Sequence, residues 1–277
     1  MPTLIQLMQN ILSQKDPLLP NETKRVIIKE FLQAYTLDYL YNHPLYSKLN
    51  FYGGTCLHVI YGLNRLSEDI DLDNSNGIDL SKLENDLLTF YRSTIGYTEV
   101  TAKTQIGEWG VRGTTLKFPI LYALGLTSHA NEPLHLKVEV SQHSQIAIVR
   151  QTPVLLFGRS FVAAHFTLET MMAGKMLACL ERNFQKGEAA TIKGRDFYDL
   201  LWFMQQKIRP LEEKLTNDGR QPYTVRSAME LLDEKIIEMK LSDLAEDLLP
   251  LFEQRSFIEA WLEGFKENFW EYKKNYM

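Results

Sequence analysis

The sequence predicts an α+β fold in which a mixed sheet with flanking helices is followed by an all-helical C-terminal half. Three observations carry that prediction. The first fifty residues place apolar side chains at helical spacing. Residues 97–157 are dominated by Thr, Val, Ile and aromatic residues, punctuated by Gly107, Gly110 and Gly113. From Phe166 onward helical periodicity returns and persists to the end. At 277 residues the chain exceeds the roughly 150 of an average domain, and the change of texture predicts domains over 1–160 and 161–277.

Taken in order, Ile5, Met8 and Leu12, then Val26, Ile27, Phe31, Tyr35 and Leu37, mark two helices separated by Pro17 and Pro20. Asn21 is the expected N-cap of the second, with Glu22 in its first turn. Residues 49–52 read as a short strand, Gly53-Gly54 as a sharp turn, and 55–61 as a helix stopped by Gly62. Polar and apolar residues alternate over 69–73, the pattern of a half-buried strand. Leu80, Leu83, Leu87 and Phe90 line one side of a helix over 79–94, capped near Asp79. Strands are predicted over 114–120 and 135–140. Helices are predicted over 168–183, 195–207, 224–240, 241–249 and 257–272, the last opened by a capping box at Ser256.

Composition narrows the function classes. Apolar residues make up 45% and charged residues 23%, which excludes collagen, coiled-coil rods and disordered tails. No stretch approaches the ~18 apolar residues of a membrane span. The N-terminal stretch has no positive cluster ahead of its apolar residues and does not read as a signal peptide. Cys56 and Cys179 lie in apolar, helix-like stretches and read as reduced core cysteines of a cytoplasmic protein. A net charge of −5 argues against coating nucleic acid by charge alone. Locally the sign reverses: residues 175–226 hold ten Lys/Arg against seven Asp/Glu.

The chemistry concentrates in Phe51-Tyr52-Gly53-Gly54-Thr55 and, thirteen residues later, Asp69-Ile70-Asp71-Leu72-Asp73. On a strand the three aspartates share one face while Ile70 and Leu72 take the other. Carboxylates aimed the same way repel, and a hard divalent cation relieves that repulsion. A Gly-Gly turn at a helix start adds backbone N–H groups and a positive dipole end, an arrangement that binds phosphate. Either half alone has an ordinary explanation, a plain turn or a solvated strand face. Together they offer a phosphate cradle and a metal pair, which phosphoryl or nucleotidyl transfer requires.

The run Gly53-Gly54-Thr55 through Arg65-Leu66-Ser67-Glu68-Asp69-Ile70-Asp71-Leu72 resembles the AbiEii/AbiGii toxin family of nucleotidyltransferases, within the polymerase-β-like superfamily and related to the MenT toxins. The resemblance extends to Lys175-Met176-Leu177-Ala178-Cys179-Leu180-Glu181-Arg182 and to Lys193-Gly194-Arg195-Asp196-Phe197-Tyr198-Asp199-Leu200, covering roughly 50–205. It implies a nucleotidyltransferase fold. It further implies that Asp69 and Asp71 hold Mg²⁺, and that Gly53, Gly54 and Lys137 bind nucleotide. Arg65 and Ser67, in the loop entering the acid strand, are candidate phosphate contacts, as is Thr55; Ser67 can equally cap the loop, and Thr55 can serve the helix N-terminus. Lys137-Val138-Glu139-Val140 fits the family's Lys-x-acid strand, with Glu139 as third metal ligand in place of the Asp many relatives carry. Lys175 would contact the triphosphate. Asp196 would either orient Lys175 or take the proton of the attacking hydroxyl, while Arg195 and Asp199 stand four apart and can form a structural pair.

The expected activity is transfer of a nucleotide from an NTP to an acceptor hydroxyl with release of pyrophosphate. The resemblance implies a tRNA 3′ end as acceptor, toxicity neutralised by a cognate antitoxin, and a role in phage defence. Two rivals use the same residues: transfer to a protein or small molecule, and a catalytically silent NTP-binding module.

Overall fold

Strand alternation builds a seven-stranded mixed sheet in the computed structural model, which describes residues 2–107, 110–182, 184–186, 189–191 and 193–277. The chain divides into two compact units, Met1–Ser144 with Arg150–His165, and Gln145–Val149 with Phe166–Met277. The division falls past residue 160 because β7 (Arg159–Phe166) pairs in parallel with β1 (Asn50–Tyr52) through His165 and Phe51. Gln145–Val149 joins the second unit because its polar groups are satisfied there, Gln145 by Lys214, Ile146 N–H by Asp218 and Ile148 N–H by the Thr170 hydroxyl.

The first unit opens with α1 (Leu4–Ser13), whose Thr3 cap and Gln6 form a reciprocal capping box, and α2 (Asn21–Asn42). Asn21 is the first helical residue rather than the cap; Pro20 precedes it, and the Asn21 amide donates to Leu126 O instead. After β1 come α3 (Gly53–Tyr61), β2 (Ile70–Asp73), α4 (Leu83–Thr89), β3 (Thr101–Ile106), β4 (Arg112–Phe118), β5 (Leu134–Ser141), β6 (Val149–Leu156) and β7. The sheet order is β3-β4-β5-β2-β1-β7-β6. The helix over 79–94 is shorter than its periodicity predicts. The Asp79 carboxylate accepts from Ser81 N–H and hydroxyl, making a turn, and residues 90–94 widen into a π-helical turn.

Phe51, Ile70, Leu72, Leu136, Val138 and Val140 are fully buried on the inner face of the central strands. Each contributes about 1.5–3 kcal/mol of burial, which fixes the register and thereby which residues face outward. The C-terminal end of α3 is held by Gly62 in the left-handed region and by His58, whose two ring nitrogens meet Leu63 O at 2.7 Å and Glu30 Oε1 at 2.8 Å. Burial pulls the His58 pKa down, but the Glu30 carboxylate and the Leu63 carbonyl outweigh it, and the net shift is upward. The stabilisation from protonated His58 is therefore full below the unfolded value of ~6.5 and lost as pH rises through the raised folded value. Glu30→Gln should flatten the pH dependence of Tm in that window; a profile matching the parent protein would refute the coupling.

The second unit holds α5 (Leu168–Glu181), capped by the Thr167 side chain, then β8 (Phe184–Lys186) and β9 (Ala189–Thr191), α6 (Gly194–Gln205), α7 (Glu212–Asn217), α8 (Val225–Glu238), α9 (Leu241–Leu248), α10 (Arg255–Glu263) and α11 (Phe265–Lys273). The antiparallel β8–β9 ribbon corrects the expectation of an all-helical half. Two helices replace the one predicted over 257–272, divided at Gly264, and the first is preceded by Gln254 rather than capped by Ser256.

Candidate active site

Burial separates the three aspartates that strand alternation puts on one face. Asp69 and Asp71 are half-buried, whereas Asp73 is 1% exposed and accepts from Asn50 Nδ2 and Ser75 N–H, each at 3.1 Å. The acid face is therefore a pair, with Asp73 bracing β2 against β1. Asp71 lies in register with Tyr52 on β1 and with Glu139 on β5. Glu139 is thus beside Asp71, but its carboxylate bonds to the Lys137 ammonium. Burial pulls the Lys137 pKa down, and Glu139, Asp69 and Asp71 together outweigh it and hold the pKa up. Among the described residues no three His, Cys, Asp or Glu side chains are gathered in a metal-holding geometry. Glu139, the expected third ligand, is paired with Lys137 here. Asp69 and Asp71 remain as two hard oxygen donors, a set suited to a hard divalent cation that completes its shell with substrate oxygens.

The glycines are explained by what they touch. Gly53 has φ +78°, and a Cβ there would stand 2.1 Å from Asp71 Oδ2 and 2.8 Å from its Cγ. The helix start and the acid strand therefore meet in direct contact, which only a residue without a side chain allows. A Cβ on Gly54 would stand 2.7 Å from Arg65 Nη2 and 2.8 Å from Ser67 Oγ. Gly53→Ala should cost about 1–2 kcal/mol in backbone strain. Because it also displaces the Asp71 carboxylate, it should lower turnover by about 10²-fold. Gly54→Ala, which meets only the ends of side chains, should be milder in both thermal unfolding and activity; equal effects would reject the close approach as the reason for Gly53.

Thr55, Arg65 and Ser67, predicted as phosphate contacts, lie behind the helix start. Thr55 is fully buried and its hydroxyl bonds the Asp69 carbonyl, tying α3 to the mouth of β2. Arg65 is 2% exposed, with Nη1 donating to Leu66 O at 2.9 Å. Packed under Gly54, its guanidinium adds positive potential to the first turn of α3, whose N–H groups have no intrahelical partners. Gln33 of α2, which has no sequence signal, donates its amide to Ser67 O at 2.9 Å and fixes this loop from below.

The second unit carries its own charged cluster. Lys175 Nζ lies 2.8 Å from Asp196 Oδ1 and 2.9 Å from Asp199 Oδ2, and Arg182 Nη1 lies 2.8 Å from Asp196 Oδ2. Asp199, which spacing pairs with Arg195, is thus a Lys175 partner, and the Arg195 N–H donates to Asp247. Burial would raise the Asp196 pKa, but Lys175 and Arg182 overcome it and hold the carboxyl at about 2. With both oxygens bonded to cations, Asp196 is a weak proton acceptor at neutral pH. The geometry favours positioning of Lys175 over acceptance of a proton. Arg182, which closes the Lys175–Arg182 motif, stands seven residues from Lys175 and so near the same helical face.

A mixed sheet with a Gly-Gly helix start pressed against an Asp-x-Asp strand is the arrangement of a nucleotidyltransferase. The family model described as "Nucleotidyl transferase AbiEii toxin, Type IV TA system" matches residues 36–272, and the chain belongs to that family. Its fold is similar to the crystal structure of JHP933 from Helicobacter pylori, at 20% identity and a TM-score of 0.51, over 90% of this chain and 92% of that one. A second H. pylori structure, titled "putative nucleotidyltransferase", matches at 19% identity and a TM-score of 0.47, over 90% and 92%. No curated protein matches the sequence. Among the described residues no helix is long and apolar enough to cross a membrane.

Proposed function

We propose that this nucleotidyltransferase toxin is Mg²⁺-dependent and transfers a nucleotide to an RNA hydroxyl, a tRNA 3′ end being the acceptor that the family resemblance suggests. One observation carries the reading: Gly53 leaves no space between the helix start and Asp71, so phosphate-binding N–H groups and the acid pair form one local unit. Asp69 and Asp71 would hold the cation, and Glu139 could join them only by releasing Lys137. Bound there, a divalent cation supplies positive charge to the α-phosphate and lowers the pKa of a coordinated hydroxyl. The acceptor hydroxyl would lose its proton to solvent as its oxygen bonds to the α-phosphorus, the bond from that phosphorus to the bridging oxygen breaks, and pyrophosphate leaves.

The N–H groups at Gly53 and Gly54, backed by Arg65, hold triphosphate oxygens, and Lys137 offsets charge on the same face. In the second unit, Lys175 is the cation that the family resemblance assigns to the triphosphate, oriented by Asp196 and Asp199. A cognate antitoxin is the partner expected of a toxin in this family, and residence in the cytoplasm suits an RNA acceptor. Incubation of the protein with each of four α-labelled NTPs and a cell extract should label RNA in a Mg²⁺-dependent way. Label appearing in protein or small molecules instead would replace the RNA acceptor, and no label at all would leave only NTP binding.

A further inference from the structure

The face of the sheet that carries the acid pair continues outward over three more strands. Register places Lys137 opposite Thr115 and Thr115 opposite Lys103; one step along, His135 is opposite Lys117 and Lys117 opposite Thr101. In line with Asp71 stand Glu139, Gly113 and Gln105. The reverse face of these strands is packed: Leu116, Phe118, Leu136 and Val138 are buried, and the Thr104 and Thr114 hydroxyls bond each other at 2.9 Å. On the outward face Thr101, Lys103, Gln105 and His135 are exposed, and Thr115, Lys117 and Lys137 are half-buried. Among the described residues of β3, β4 and β5 on that face, Glu139 is the one acid, and it is bonded to Lys137. Burial first, and then the charges of Lys117 and Lys29, push the His135 pKa down.

We infer that the outward face of β3–β5 is the track along which the phosphate backbone of the RNA acceptor approaches the acid pair, with Lys117 and Lys103 as phosphate contacts. The inference rests on the reading of the protein as an RNA-directed transferase. A net charge of −5 gives the chain no overall attraction for a polyanion, so a locally positive path is what would guide an RNA end to Asp69 and Asp71. Neighbouring strands lie ~4.8 Å apart, which puts the backbones at Lys137 and Lys103 roughly 10 Å apart, so two long lysine side chains can reach neighbouring phosphates of one strand. Thr101, Thr115 and Gln105 interleave hydroxyl and amide donors, the groups that complement lysine at phosphate oxygens. Gly113 contributes by absence: a Cβ there would meet Lys137 Cε at 3.3 Å, so the bare backbone leaves room for the lysine stem over β4.

The test uses the full-length protein, a fluorescein-labelled single-stranded oligoribonucleotide and a salt titration. Lys103→Gln with Lys117→Gln should weaken RNA binding about tenfold at low salt and reduce the slope of log affinity against log salt by roughly 1.4, at ~0.7 per lost contact. Lys103→Arg with Lys117→Arg should restore both. NTP binding and Tm should match the parent protein in both variants, since neither residue belongs to the nucleotide site. Unchanged affinity and slope in the glutamine variant would overturn the track. So would equal, lysine-dependent binding of a polyglutamate peptide, which would assign the face to an acidic protein. Label transferred to RNA with no lysine dependence sinks the track and spares the proposed function; lysine-dependent RNA binding without label transfer does the reverse.

Discussion

Replacing Asp69 and Asp71 together by asparagine is expected to lower NTP-dependent labelling by about a thousandfold or more while leaving the fold intact. Asparagine keeps the shape and removes both negative charges, and a hard divalent cation held by one or two carboxylates tolerates that loss poorly. A bound metal contributes several kcal/mol to the transition state, and ~1.4 kcal/mol corresponds to each decade of rate. Neither aspartate is buried, and Lys137 keeps Glu139 as its partner, so Tm should move by only a few degrees. The growth inhibition expected of the toxin should disappear with the activity. Labelling within tenfold of the parent protein, by a variant with unaltered thermal unfolding, would remove the acid pair from the mechanism.

The second large effect is expected at Asp196. At 4% exposure it bonds two cations, and removing one member of such a buried network costs about 3–5 kcal/mol. Lys175 retains Asp199 and Arg182 is part-exposed, so Asp196→Ala should fall near the lower end of that range in denaturant unfolding. The carboxyl is held at about 2, below the usual carboxylate range. Its stabilisation is therefore present above the unfolded value and lost as pH falls through about 2, a contribution of about 2 kcal/mol by linkage. Kinetics separates the two roles open to this residue. As a positioning group it should be non-additive with Lys175→Met, and the acid limb of the pH–rate profile should not follow it. Additive losses, together with an acid limb that vanishes in Asp196→Asn, would make it the proton acceptor.

Local chemistry made much of this legible. Gly53-Gly54 and alternation over 69–73 place the helix and the strand to within two residues, the glycines forming the first turn of the helix rather than a turn before it, because those signals depend on only a few adjacent residues. Caps were less readable. Asn21 and Ser256 have capping side chains, but Pro20 and Gln254 occupy the cap positions, since where a helix starts is settled by what its first turn packs against. Spacing brings Arg65, Ser67 and Thr55 to the Gly-Gly helix start, yet it carries no signal of their burial, which depends on what packs over the loop.

The sequence by itself determined the acid pair, the glycine pair and most of the helices, because spacing along one chain dictates which face of a strand or which turn of a helix a residue occupies. Tertiary structure alone decided which of those residues meet. That Gly53 presses on Asp71, that Lys137 takes Glu139, that Asp199 partners Lys175, and that three lysines line one open sheet face are all consequences of cross-strand register and helix packing. Such contacts join residues that are distant in sequence, and their geometry is set by the buried apolar faces on the other side of the same elements.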